Sequence, residues 1–206
     1  TFGANDGIVS VFALLAGVAG AGQNATTILI SMLAATVAGA LSMAAGEYIS
    51  GKGEHEYFVH EQEQEHLEIR LTPDIEKEEI RMIYQAKGFS GDILDQIVET
   101  ITKNEELGVA DIDEAPSLKN AFVIFIAFIL GALFPVLPYA IMIPTMASDQ
   151  LMLILAAIIT AGGLFLVGAM KTFVTGKQWW KSGIEMFLVG LFAFSASFLV
   201  GTLFNV

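Results

Sequence analysis

Glutamates recur at helical spacing between Glu54 and Glu79, and carboxylates gathered on one face repel each other unless a cation or a proton neutralises them. At about 100° per residue, Glu54, Glu61, Glu65 and Glu68 fall within one narrow stripe. Glu76 and Glu79 are three apart on the helix that restarts at Thr72-Pro73, so they share a face. If the chain folds back at Leu71-Thr72-Pro73, the two sets of acids face each other and form a site for divalent cations. The competing reading is a solvated face, with Asp74, Glu76, Glu78 and Glu79 complementing a helix dipole. The density of acids on two adjacent helices favours the metal reading. His55, His60 and His66 lie in the same stretch without forming a site of their own. His60-Glu61 is followed by Gln64 where a zinc protease needs histidine. Glu63-Gln64-Glu65-His66 matches half of a di-iron motif, and no second copy exists. The histidines are therefore expected at the surface.

Asp6 and the pair Met43 and Glu47 carry chemistry of another kind. The first apolar segment is long enough to cross a bilayer only if Asp6 lies inside it. A carboxylate at that depth is costly and marks an ion or proton path; the alternative is a helix cap at Asn5-Asp6-Gly7. Met43 and Glu47 are four apart and share a helix face. A thioether and a carboxylate together suit a borderline metal such as ferrous iron. A lone membrane methionine is usually packing, and Glu47 one turn away raises the odds of a ligand.

These residues must be positioned by an unusual chain. Of its 206 residues 54% are hydrophobic and only 16% charged, against about 25% in soluble domains. Nearly all the acids and most of the bases fall between Glu47 and Lys119. Such a chain divides into lipid-facing spans and one water-facing insert. The net charge of −12 makes nucleic acid an improbable partner and cations better ones. The absence of cysteine excludes disulfides and thiolate metal sites. No cleavable signal peptide is evident, and a start at Thr1 rather than Met implies further residues ahead of it.

The expected fold class is all-α: a polytopic membrane protein with five transmembrane helices and a three-helix cytoplasmic metal-binding domain. Residues 1–50 carry the first two spans, 51–116 the acidic helical domain and 117–206 the last three spans. The spans run from Thr1 to Gly22, from Ala25 to about Ser50, from Lys119 to about Ile143, from Gln150 to about Phe173 and from Lys181 to Val206. In the insert, Gly51 to Arg70 is proline-free and can extend the second span. Thr72-Pro73 offers a capping hydroxyl and a first-turn proline, and a third helix covers about Ser90 to Leu107. All ten bases lie between spans two and three or between spans four and five, which places those connections in the cytoplasm. Rows of small residues at Ala34, Ala38, Ser42 and Gly46, and at Ala13, Gly17 and Ala21, suit close helix packing, within the bundle or between subunits.

At this point the sequence resembles the vacuolar iron transporter family over essentially its whole length. The resemblance rests on Asn5-Asp6-Gly7-Ile8-Val9-Ser10, on Phe12-Ala13-Leu14 with Ala16-Gly17-Val18-Ala19-Gly20-Ala21, on Ser42-Met43-Ala44-Ala45-Gly46-Glu47-Tyr48 and on Pro135-Val136-Leu137-Pro138-Tyr139. It implies a five-span homodimer with the ion path between the two first spans, and a cytoplasmic metal-binding domain. It implies that Asp6 and Met43 are pathway residues and that Glu65, Glu68, Glu76 and Glu79 bind metal, with Glu106 as a further ligand. Glu61, in the same stripe as Glu65, joins the candidate metal set, and Glu47 the candidate pathway. Departures exist: Ala35 stands where plant-type members carry a glutamate, and Thr102 and Lys103 where they carry two methionines. Glu47 is then a candidate replacement carboxylate, and the lost methionines weaken an argument for strict iron selectivity.

The expected function is secondary transport of ferrous iron, with manganese, zinc or cobalt as other candidates, out of the cytoplasm in exchange for protons. No enzymatic activity and no resident cofactor are expected; iron is cargo. The alternative is a membrane-anchored metal buffer or sensor. The expected setting is the cell membrane of a prokaryote or the vacuolar membrane of a eukaryote, with metal ions, protons, the lipid bilayer and a second copy as partners.

Overall fold

The computed structural model describes residues 2–106, 117–145, 147–176 and 178–204, and among them the only regular secondary structure is helical. In chain order these are α1 (Phe2–Gly20), α2 (Ala25–Leu71), α3 (Pro73–Ala86), α4 (Asp92–Glu106), α5 (Leu118–Met142), a single 3-10 turn (Ile143–Thr145), α6 (Asp149–Met170), α7 (Thr172–Thr175) and α8 (Trp179–Thr202). The chain forms two compact units, Thr1–Tyr48 with Leu118–Val206, and Ile49–Ser117.

The first unit is a bundle built on five helices long and apolar enough to cross a membrane. The chain is a multi-pass membrane protein. Helix α1 lies at its centre, packed on α5, α6 and α8. Glycines allow that packing. A side chain at Gly7 would strike the Phe128 carbonyl, and one at Gly131 the Ala4 carbonyl. On the other side of α1, Gly201 meets Gly17 and Ala21, while Gly17 faces Ser197. The core holds Val11, Leu15, Ile28, Met32, Phe128 and Tyr139. Helix α2 turns Ile28, Met32, Thr36 and Ala40 inward. The Thr36 hydroxyl donates to the Met32 carbonyl at 2.7 Å, which satisfies it without a second helix. The two small-residue rows differ. Gly17 and Ala21 are used inside the bundle, while Ala34, Ala38, Ser42 and Gly46 are exposed on α2. Pro135 and Pro138 both lie inside α5, leaving the Gly131 and Phe134 carbonyls without their usual helical donors. Both prolines are buried, so this irregular backbone faces protein rather than lipid.

The second unit contains the distal half of α2 with α3 and α4. Gly51 and Gly53 do not interrupt α2, which runs without a break to Leu71. The Thr72 hydroxyl does not cap α3. It donates back to the Glu68 carbonyl at 3.1 Å, beside the Thr72 N–H at 2.7 Å, and so closes α2 instead. Pro73 opens α3 as a first-turn proline should. Gly88 (φ 96°) and Gly91 (φ 63°) supply the left-handed turn into α4, which buries Leu94, Val98 and Thr102. Arg81 ties the two helices together, bonding Asp95 at 2.6 Å and reaching Glu78 at 3.7 Å. All three groups are largely solvated, so the pairs add at most about 1 kcal/mol each.

Candidate metal pathway and metal-binding cluster

Asp6 lies in the second turn of α1, inside the helix and not at a cap. It lines an open groove of about 320 Å³ between α1 and α2. Ser10 and Leu14 follow at four-residue spacing on the same α1 face, and α2 contributes Ala35, Gly39, Ser42 and Met43. Phe128 of α5 forms the floor, packed so closely on Gly39 that a side chain there would enter its ring. Two residues 37 positions apart, on successive spans, thus present a carboxylate and a thioether to one space. The Ser10 hydroxyl donates to the Asp6 carbonyl at 2.5 Å, which leaves its lone pairs available to the groove. Glu47 is exposed one turn beyond Met43 and is not among the lining residues. Ala35, the position of the departure from plant-type sequences, lies in this groove. Asp6, Ser10 and Ser42 are exposed on the single chain.

In the second unit α2 and α3 bring Glu65, Glu68 and Glu76 together, with one oxygen of each within 4.8 Å of the others. Oxygens bound to one cation at about 2.0–2.6 Å lie no more than about 5 Å apart, so the spacing admits a shared ion. Glu65 and Glu68 are exposed and Glu76 is half-buried. Burial, followed by repulsion from Glu65, Glu68 and Glu79, pushes the Glu76 carboxyl above its ordinary range. Glu79 thus acts on the cluster electrostatically, but its side chain is exposed and outside the trio. Glu61, a turn before Glu65, is exposed and also outside it. Among the described residues no histidine joins the cluster. Glu106 ends α4, and its side chain lies outside the described residues.

Sequence reasoning did not single out Ser10, Ser42, Gly39 or Phe128 for the groove. Ser10 was findable, being one helical turn from Asp6, and Ser42 adjoins Met43. Phe128 carried no signal, because its place depends on how α5 crosses α1 and α2.

The first unit is thus a multi-pass bundle with one carboxylate in a groove between two of its spans. A sequence profile of the VIT family matches residues 1–202, and the chain belongs to that family, which is one of transporters and not of enzymes. Relatives include vacuolar iron transporter 1 of Arabidopsis thaliana, 32% identical over 206 residues that cover 95% of this chain and 81% of that protein. Vacuolar iron transporter 1 of Eucalyptus grandis is 31% identical over the same shares. The vacuolar iron transporter of Toxoplasma gondii is 30% identical over 98% of this chain and 72% of its own length.

Proposed function

We propose that this chain exports ferrous iron from the cytoplasm in exchange for protons, working as a homodimer. The observation that carries the proposal is the meeting of Asp6 and Met43, from two spans, in one groove. A carboxylate accepts a proton or a metal but not readily both, which is a simple basis for exchange. Met43 adds a soft donor that a borderline ion accepts, and Glu47 stages the ion near the entrance. The names of the relatives support iron as cargo, and manganese, zinc and cobalt are further candidates.

Two features support the dimer. Asp6 is exposed on the single chain, and a carboxylate facing hydrocarbon is costly. The unused row Ala34, Ala38, Ser42 and Gly46 offers a surface on which a second copy can approach closely. The acidic unit collects metal through Glu65, Glu68 and Glu76, with Glu79 and Glu61 as outer acids and Glu106 as a further ligand. The distribution of the ten bases supports a cytoplasmic placement for it. A membrane-anchored buffer would need only that cluster and leaves Asp6 unexplained.

The test is ferrous iron flux into proteoliposomes under an imposed pH gradient, with an internal pH dye. Iron entry coupled to proton exit is the expected result. Entry without proton movement overturns exchange, and no entry overturns transport. Single cysteines replacing Gln23 and Asn104 should label from opposite membrane faces; labelling from one face overturns the topology.

A further inference from the structure

We propose that the outward face of α8 docks a transmembrane helix of a different membrane protein, one that carries a lysine or arginine at the depth of Glu185. Helix α8 turns small residues inward, where Gly190 lies on Leu164 and Gly201 on Gly17. Its other face presents Glu185, Leu188, Phe192, Ser195 and Leu199, all exposed and alternately three and four apart. Leu188 is 54% exposed, Phe192 77% and Leu199 65%. That spacing is the seam on which a second helix lies. Lipid would cover the apolar residues equally well, so the stripe alone names no protein partner. Glu185 does.

Glu185 follows Trp179 by six residues, about 9 Å along the helix axis. Trp179 and Trp180 open α8, and indoles settle at the headgroup level. A helix of 24 residues is about 36 Å long, against a hydrocarbon core of about 30 Å. Centred in the bilayer, α8 therefore holds Glu185 about 6 Å inside the hydrocarbon. A carboxylate facing lipid at that depth is costly and calls for a partner. Among the described residues Glu185 makes no hydrogen bond and no ion pair. Lys181, one turn nearer the helix start, instead rests its ammonium 5.4 Å from the centre of the Trp180 ring.

Charge selects the occupant. A metal ion would find one carboxylate among apolar neighbours, too few donors to replace its water. A second copy of this chain has no base so deep in a span. Lys119 and Lys181 lie in the first turns of α5 and α8, and Lys171 follows the end of α6. A two-fold copy placed on this face would also set Glu185 against Glu185. The helix that fits is therefore foreign, with a base where this chain has an acid. Exposed Ser195 lets it approach closely further along the seam. The inference is independent of which ion the protein moves and of the pairing through α2.

The experiment uses the full chain in phosphatidylcholine vesicles, with a donor dye on a cysteine replacing Gln23. The probes are synthetic Leu/Ala peptides of 24 residues, roughly the length of a span. They carry an acceptor dye and Lys, Leu or Glu at the seventh position. Energy transfer reports association. The Lys peptide should associate about tenfold more tightly than the Leu peptide. Glu185→Gln should erase that preference, and Glu185→Lys should transfer it to the Glu peptide. Lys181→Gln should leave it in place. Equal association of the Lys and Leu peptides, or a preference that survives Glu185→Gln, overturns the assignment. So does a preference seen only in Lys181→Gln, because Lys181 would then already satisfy Glu185. Cross-linking of two chains through Phe192→Cys that is lost with Glu185→Gln would give the face to a second copy and overturn the foreign partner.

Discussion

The groove in the bundle and the cluster in the acidic unit are both candidate metal sites, and they differ in charge density. The groove offers one carboxylate, one thioether and two hydroxyls, from Asp6, Met43, Ser10 and Ser42. The cluster offers three carboxylates within 4.8 Å, one of them already strained toward protonation. The two arrangements suit different tasks. Three acids in water hold a divalent ion by charge and yield it to protons. A path needs a site favourable enough to enter and weak enough to leave. A single carboxylate per chain, backed by softer and neutral donors, meets that need.

The largest expected effect is on metal binding by the acidic unit. Replacing Glu65, Glu68 and Glu76 by glutamine should lower calorimetric affinity for divalent ions by about 100-fold or more, since glutamine keeps the shape and removes the charge. Unchanged binding would return those acids to a solvated face.

The groove can be made to resemble the cluster. Ala35→Glu adds a second carboxylate to its lining. The expected result in proteoliposomes is tighter apparent binding and a maximal rate about tenfold lower, because the ion leaves more slowly. A raised rate would mean that entry, not release, limits flux.

Softness is a smaller effect. Met43→Leu keeps the packing and loses the sulfur. It should slow ferrous iron about two- to fivefold and manganese less, since the harder ion depends less on thioether. Equal slowing would assign Met43 to packing alone. Glu47→Gln should reduce flux and shift its pH optimum without abolishing it.

The smallest effect is on stability. Burial and the neighbouring acids make Glu76 hold its proton more readily in the folded chain than in the unfolded one. The folded state then binds more protons above the ordinary carboxylate range, so metal-free stability falls as pH rises through that window. Metal affinity runs the other way, falling as acidification protonates Glu76. Glu76→Gln should flatten the stability slope and raise the metal-free melting temperature slightly at neutral pH. A slope left unchanged in the variant would place the strain elsewhere.

The sequence made the five spans legible, because each is a long apolar run and bilayer thickness sets its length. The helical period placed Glu65 and Glu68 on one face, and the Thr72-Pro73 restart brought Glu76 back toward them. Periodicity did not separate these three from Glu61 and Glu79, which share the stripes but lie outside the trio. That selection depends on the angle at which α3 returns along α2. Thr72 had two local options, capping forward or bonding backward, and its spacing does not choose between them. The groove was the least legible element. No local pattern connects Asp6 to Met43, and residue spacing alone gave each a separate argument; only the family resemblance joined them. Phe128 and Gly39, which shape the groove, are invisible without tertiary packing.

In the proposed division of labour the groove passes the ion and the cluster collects it. It is tested most directly by measuring ferrous iron binding and initial proteoliposome uptake on one preparation of Asp6→Asn, which removes the charge and keeps the volume. Binding to the acidic unit at native affinity, an intact dimer and uptake reduced to the level of empty liposomes are expected. Uptake at the native rate would contradict it, and Asp6 would then be a residue of helix packing with the path elsewhere in the bundle.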